Sequence, residues 1–304
     1  MLLVLSVVVF VLARLAPGDP VLARLGLGFR SDYPSREMLE AERRDLGLDK
    51  PIPIQYFAWM GNILTADLGI AIQSKKPVGP LVWEKFKRSL PLALSGVVIG
   101  VFLGITLGIV AGTRPFTWLD SIISTISLFG VAAPGFWVGL MLILFFAVKL
   151  DWLPTHGYAP AGESSIHFKY LILPSFTIAI GLVGSLTRYM RSGMLDVMTS
   201  DYIRTARAKG MLERVVILRH ALKNAMLVVV TIIGLDFAAV LGGSIVTETV
   251  FQWPGLGLML RNAVALRDYN VLQILTLLIA AVYVMINLAV DITYGYLDPR
   301  IRYE

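Results

Sequence analysis

The stretch Ser200-Asp-Tyr-Ile-Arg-Thr-Ala-Arg-Ala-Lys-Gly210, running on to Leu218-Arg-His-Ala-Leu-Lys-Asn224, decides how the rest of the chain is read. It is polar, yet it lies between Tyr170–Met190 and Ala225–Val246, two segments long and apolar enough to cross a bilayer. The connector carries Arg191, Arg204, Arg207, Lys209, Arg214, Arg219 and Lys223 against Asp196, Asp201 and Glu213. Ser200–Lys209 is expected to form a short helix, Gly210 to permit a sharp turn, and Met211–Lys223 to continue as helix. An ordered basic helix between two spans is a handle by which a cytoplasmic partner can move the membrane part. An ordinary basic inside loop is the simpler alternative.

Composition agrees with a membrane setting. Of 304 residues 56% are apolar and 16% charged, and the mean hydropathy is +0.72. Soluble domains run at roughly 45–50% apolar and about 25% charged. The chain has no Cys, which excludes disulfides and thiolate metal sites. The net charge of +6 concentrates in loops that flank spans, so it does not point to nucleic acid. Gly-Lys-Ser/Thr, His-Glu-x-x-His and Gly-x-Ser-x-Gly are all absent, so the chain supplies no phosphate-binding loop and no common hydrolase motif.

Six spans are expected: Met1–Leu15, Leu90–Thr113, Ile122–Val148, Tyr170–Met190, Ala225–Val246 and Val271–Tyr294. The first covers roughly 22 Å of a core about 30 Å thick. It also lacks a basic lead-in, so the chain is expected to begin part-way along the natural helix, with a cleaved signal peptide as the alternative. With the 191–224 loop inside, the C-terminal Asp298-Pro-Arg-Ile-Arg302 is also inside. Loops 149–169 and 247–270, each balanced in charge, then lie outside, as does segment 16–89. That segment reads as a small external subdomain. Glu37–Leu46 forms one amphipathic helix between Ser35 as cap and Gly47 as stop, and Ile54–Leu64 a second, with Tyr56 and Trp59 near the interface. It either caps the outer mouth or is a packing insert. The expected domains are thus 1–15, 16–89, a membrane core over 90–296 and a cytoplasmic tail over 297–304.

Inside the membrane, Gly96, Gly100, Gly104, Gly108 and Gly112 repeat at intervals of four and line one helix face. They let a neighbouring backbone come close, as static packing or as a sliding surface. Pro134 in Ala-Ala-Pro-Gly-Phe-Trp predicts a kink in the third span. Asp236 stands mid-span, where an ionisable group faces a pathway or an interior partner. Asp291 and Asn287 are weaker candidates, and Arg188 and Arg191 are expected to reach the headgroups. On the outer side, Phe251-Gln-Trp-Pro-Gly-Leu-Gly257 reads as a plug or gate carried by Trp253 and Pro254, or as an interfacial turn. His156 and His167 share an outer loop without a third ligand, which favours surface residues over metal; His220 is placed at a partner contact.

The residues Asp201-Tyr-Ile-Arg-Thr-Ala-Arg-Ala-Lys-Gly210 and Leu218-Arg-His-Ala-Leu-Lys-Asn-Ala225 resemble the cytoplasmic coupling loop of ABC-importer permeases of the dipeptide/oligopeptide/nickel branch. Leu15-Ala-Pro-Gly-Asp-Pro20, Leu46-Gly-Leu-Asp-Lys-Pro51, Asp67-Leu-Gly69, Trp152-Leu-Pro154, Phe251-x-Trp-Pro-Gly-Leu-Gly257, Arg267-Asp-Tyr269 and Leu297-Asp-Pro-Arg-Ile-Arg302 fit the same branch in the same order. The general Glu-Ala-Ala-x-x-x-Gly pattern is here Arg204-Thr-Ala206 followed by Gly210, and the later Ile-x-Leu-Pro is His220-Ala-Leu-Lys223. The resemblance implies an all-α integral membrane protein with six transmembrane helices, multi-pass in a bacterial or archaeal cytoplasmic (inner) membrane. Its partners would be a second homologous permease chain, two ABC ATPase subunits and an external solute-binding protein. ATP and Mg would be used by the ATPase subunits and no cofactor bound by this chain. Asp201, Tyr202, Arg204, Ala206, Arg207, Lys209, Gly210 and His220 would meet the ATPase. The cargo would be di- or oligopeptide, or else a nickel chelate, glutathione or another small solute.

Two other classes compete. A membrane enzyme needs catalytic groups converging at one depth, whereas Asp236 and Asp291 lie at different depths. A self-sufficient carrier or channel would not need the basic connector.

Overall fold

The computed structural model describes residues 2–15, 21, 36–45, 47–72, 74–159 and 166–297. These residues are helical almost throughout, and their single strand-like pairing is a bridge between Ile70 and Pro77. In chain order the helices are α1 Leu2–Leu15, α2 Arg36–Asp45, α3 Ile52–Leu64, α4 Val78–Thr113, α5 Trp118–Ala132 and α6 Gly135–Lys149. They continue with α7 Phe168–Met198, α8 Asp201–Ala208, α9 Leu222–Gly243, α10 Ile245–Val250, α11 Leu256–Ala265 and α12 Tyr269–Leu297. A short turn, Glu213–Val215, and a wider π-wound segment, Val216–Ala221, lead into α9.

Among the described residues, four stretches are long and apolar enough to cross a membrane: Val78–Thr113, Phe168–Met198, Val228–Val250 and Tyr269–Thr293. The third expected span departs from a kinked rod: α5 and α6 meet at 105°. The local cause is legible. A proline disfavours the helical region for the residue before it, and Ala133 sits at φ −71°, ψ 127°. Pro134 itself, at φ −61°, then takes the cap position of α6, where its missing N–H costs nothing. Taken as one bent span, α5 and α6 bring the total by length and composition to five; the same pair also has the form of a re-entrant loop, and α1 is a shorter apolar helix.

The chain divides into two compact units. The first comprises Met1–Ser89 and Pro254–Val282. Within it Phe10 of α1 stacks edge-on with Tyr56 of α3 at 5.5 Å and lies 5.5 Å from Trp59, while the Ser6 and Tyr56 hydroxyls are 2.8 Å apart. Tyr56 and Trp59, expected at a membrane interface, thus pack on α1. Helix α2 spans Arg36–Asp45, and both Ser35, its expected cap, and Leu46, its expected last residue, lie outside the described residues. Gly47 ends it at φ +63°, with Gly47 N–H on the Arg44 carbonyl and Leu48 N–H on that of Arg43. A separate core of Val78, Val82, Leu256, Val271, Ile274 and Leu275 holds the start of α4 to α11 and α12. The Leu256 N–H donates to Ser89 Oγ at 2.7 Å, satisfying one of the orphan donors at the start of α11.

The second unit comprises Leu90–Trp253 and Tyr283–Glu304. Its organising contact runs along the glycine stripe of α4. A Cβ built on Gly96, Gly100, Gly104, Gly108 or Gly112 would lie 2.7, 2.6, 2.7, 2.5 or 2.6 Å from side-chain carbons of Ile178, Leu182, Leu186, Met190 and Met194 respectively. Both rows step by four and rise together, so α4 and α7 run parallel with one ridge seated in a groove lacking side chains. On another face of α7, Gly130 of α5 and Gly184 cross closely. A Cβ on either would meet the opposing backbone carbonyl of Ile180 or Ser127 at 2.8 or 2.7 Å. The four helices α4, α7, α8 and α9 share a core through Leu92, Leu186, Met190, Met194, Ile203 and Ala225, and α5 joins α7 by the glycine crossing.

Candidate coupling loop and membrane cleft

Helix α8 is amphipathic because its eight residues place Ile203 and Ala206 on one side and charge on the other. Ile203 is fully buried and Ala206 nearly so, packed in the core that contains Val216, Ala221 and Ala225. Asp201, Tyr202, Arg204, Arg207 and Lys209 remain exposed. Ala206, expected to meet the ATPase, lies nearly buried in this chain's own core. Asp201 in the first turn and Arg207 in the last complement the helix dipole.

The helix stops at Gly210, whose φ is +76°. Gly210 N–H donates to the Arg207 carbonyl at 2.9 Å and Met211 N–H to that of Ala206 at 3.4 Å, a left-handed C-terminal cap. No atom lies within 4 Å of a Cβ built there, so the demand for glycine is one of backbone conformation alone. Arg207 folds back as a fork on Glu213, with Nε on Oε2 at 3.1 Å and Nη2 on Oε1 at 2.7 Å. The guanidinium holds the Glu213 carboxyl below its ordinary range, mainly through these hydrogen bonds. Arg207 is therefore first a clasp across the 208–212 turn. Arg204 reaches Asp201 at 3.5 Å between two exposed groups, an ion pair of little worth. His220 is half-buried in the π-wound segment, and its Nε2 is buried without a hydrogen bond within this chain.

One carboxylate the sequence reading passed over ties this loop to the rest. Asp120, in the first turn of α5, is buried. It receives Arg191 as a two-point fork, Nε on Oδ1 at 2.6 Å and Nη2 on Oδ2 at 2.8 Å. Phe116 N–H adds a bond to Oδ2 at 2.9 Å and Ser124 Oγ one to Oδ1 at 3.2 Å. Arg191, expected at the headgroups, is half-buried and tied to this carboxylate. The signal was present in Thr117-x-x-Asp120, the spacing of a helix-capping pair: Asp120 N–H donates to Thr117 Oγ1 at 3.3 Å.

A cleft of about 520 Å³ opens beside the bend between α5 and α6. Ala133 and Gly135 border it at the bend, Thr177 and Ser185 of α7 and Asp236 of α9 line its wall, and Ser244 and Thr247 add hydroxyls. Asp236 is half-buried and accepts a hydrogen bond from Ser185 Oγ at 3.1 Å. Pro134 shapes this cleft through the bend it forces. Trp253 lies outside this lining: it is fully buried, edge-on to Tyr158 at 6.3 Å, with its backbone N–H on the Glu248 carbonyl. It is an anchor in the core of the second unit, while Pro254 begins the other unit. Glu248, also fully buried, accepts from Ser244 Oγ at 3.0 Å and was not singled out from the sequence. Among the described residues no group of three or more His, Asp or Glu is placed to hold a metal.

Residues 104–303 match the family model described as binding-protein-dependent transport system inner membrane component, and residues 1–95 match its N-terminal companion. A glutathione transport system permease protein of Pectobacterium atrosepticum is 42% identical over 100% of this chain and 95% of its own. A protein of Brucella suis named as a candidate peptide permease is 40% identical over 99% and 95%. Among solved structures, the inward-facing MetNI methionine ABC transporter superposes with a TM-score of 0.55 at 18% identity, covering 71% of this chain and 94% of its own.

Proposed function

The chain belongs to the inner membrane components of binding-protein-dependent transport systems, and on that premise we propose that it forms half of the pathway of an ATP-driven importer of di- or oligopeptides. A second homologous permease supplies the other half, two ABC ATPase subunits bind and hydrolyse ATP with Mg, and an external binding protein delivers the substrate. This chain carries no hydrolytic role. Six spans, with α1 the first, place the C-terminus and α8 in the cytoplasm and the α2–α3 region outside.

The observation that carries this reading is the form of α8: a short helix whose apolar side is locked into its own unit and whose polar side, Asp201, Tyr202, Arg204 and Lys209, is left outward. Such a helix transmits a push as rigid-body motion rather than by bending. Nucleotide state then biases outward- against inward-open arrangements through the differential contact that α8 makes. The cleft at Asp236 is the proposed stretch of pathway. Glutathione, itself a tripeptide, is the second cargo to test, because relatives more than 40% identical over the whole chain carry that name.

The test is affinity isolation from the native membrane in mild detergent, with mass spectrometry of what accompanies the chain. A second permease and P-loop ATPases are expected. Recovery of the chain alone, still competent for uptake, overturns the importer reading.

A further inference from the structure

We propose that Asp120 and Arg191 are a positioning pair that makes α5 follow α7 when α8 is pushed, so that motion at the coupling loop reaches the bend beside the cleft. The inference rests on the reading of α8 as the ATPase contact.

Three observations carry it. Arg191 lies near the cytoplasmic end of α7, the single helix that runs on to Met198, and α8 begins at Asp201. Its fork closes on a buried carboxylate of a different helix, and a two-point guanidinium–carboxylate contact fixes orientation as well as distance. The same carboxylate also holds the turn between α4 and α5. Phe116, at φ +62°, adopts a left-handed conformation that a bulky residue rarely takes, and its N–H is bonded to Asp120 Oδ2. The hairpin is thus pinned at the point where α7 grips it.

Farther into the membrane α5 and α7 meet through Gly130 and Gly184, where small residues give contact without a lock against rotation. Among the described residues the fork is the one polar cross-link between α5 and α7, and it sits at the end nearest the coupling loop. At its other end α5 runs straight to Ala132 and the 105° bend that borders the cleft. A displacement of α7 is therefore handed to α5 at one end and delivered to the cleft wall at the other.

The absence of cysteine allows a direct test in the intact importer. Spin labels at Thr125→Cys on α5 and Asp196→Cys on α7, both exposed positions, report the spacing of the two helices with and without trapped nucleotide. With Asp120 present, the distance is expected to be the same in both states. In Asp120→Asn, which keeps the side-chain size but loses the charge, the distance should change with nucleotide and the distribution broaden. Substrate moved per ATP hydrolysed should fall roughly 2- to 30-fold, the range by which residues along a coupling route alter it. Arg191→Lys, which keeps the charge and loses the fork, should fall between.

Unchanged distances and unchanged uptake per ATP in Asp120→Asn overturn the pair. So does a nucleotide-dependent distance in the unsubstituted chain, or failure of both variants to assemble, which marks a purely structural bond. A label at Thr205→Cys, exposed on α8, separates the two levels of the account. If its spectrum ignores the ATPase subunits, the coupling reading itself fails. If it responds while the Asp120→Asn distances do not change, only the positioning pair is lost.

Discussion

Gly210 is the residue on which the coupling loop turns, and what it contributes is backbone freedom. Its φ of +76° lies in the region where an L side chain costs about 1–2 kcal/mol, and there is open space where a Cβ would go. Gly210→Ala is therefore expected to weaken the end of α8 by about that amount, without any clash. Uptake per ATP should drop while insertion into the membrane stays normal, as read by transport and by quantitative immunoblot. Asp236→Asn acts at the other site. It retains a partner for Ser185 while removing the charge from the cleft, so uptake should fall more than abundance; lost abundance alone would assign Asp236 a packing role. The Arg207–Glu213 clasp gives a pH dependence. Because the folded state holds the Glu213 carboxyl below its ordinary value, the clasp contributes above about pH 4.5 and is lost as pH falls through the lowered value. Proteolytic nicking of the 208–212 turn should rise on acidification only in that range, and in Glu213→Gln it should already be high at neutral pH.

At the scale of elements, the glycine stripe on α4 sets how near α7 can come. Gly108→Ala puts a Cβ 2.5 Å from Met190 Cβ and 2.9 Å from the Thr187 carbonyl, so the helices must part. A loss of about 1–3 kcal/mol is expected, read as a lower melting temperature in detergent. Gly61→Ala on α3, where a Cβ meets no neighbouring atom within 4 Å, should leave that temperature the same or slightly raised, because alanine favours a helix over glycine by up to about 1 kcal/mol. The stripe could be found in the sequence because its period of four coincides with the helix repeat. Gly130 and Gly184 have no such periodic neighbours, and only the packed structure pairs them. The same limit applies to charge. Asp236 stood out because it is isolated in an apolar run, whereas Asp120 and Arg191 sit at span ends, where charged residues are ordinary; nothing in the sequence brings α5 and α7 together. Pro134 marked the position of the bend in the third span but not its size. That size depends on Ala133 leaving the helical region as well as on the proline itself.

For the whole molecule, the order of polar and apolar segments points to a helical membrane protein, and the charge of the 191–224 loop leads to the expectation that it lies inside. Full-length similarity to transport permeases then places it in its family. What sequence order left open is which side of α8 faces outward, since Ile203 and Ala206 could equally have met a partner. Their burial leaves Tyr202 and Lys209 as the outward side and makes the central claim, that a separate ATPase seats on α8, open to a direct measurement. The measurement is site-specific cross-linking in native membranes, which the cysteine-free chain permits, with a photoactivatable thiol reagent at Tyr202→Cys or Lys209→Cys and mass spectrometry of the adducts. The account predicts that both positions link to a P-loop ATPase subunit, that nucleotide alters the yield, and that Ile203→Cys gives no such adduct. Labelling by lipid or water alone at Tyr202 and Lys209, in membranes that still show ATP-dependent uptake through this chain, would contradict it.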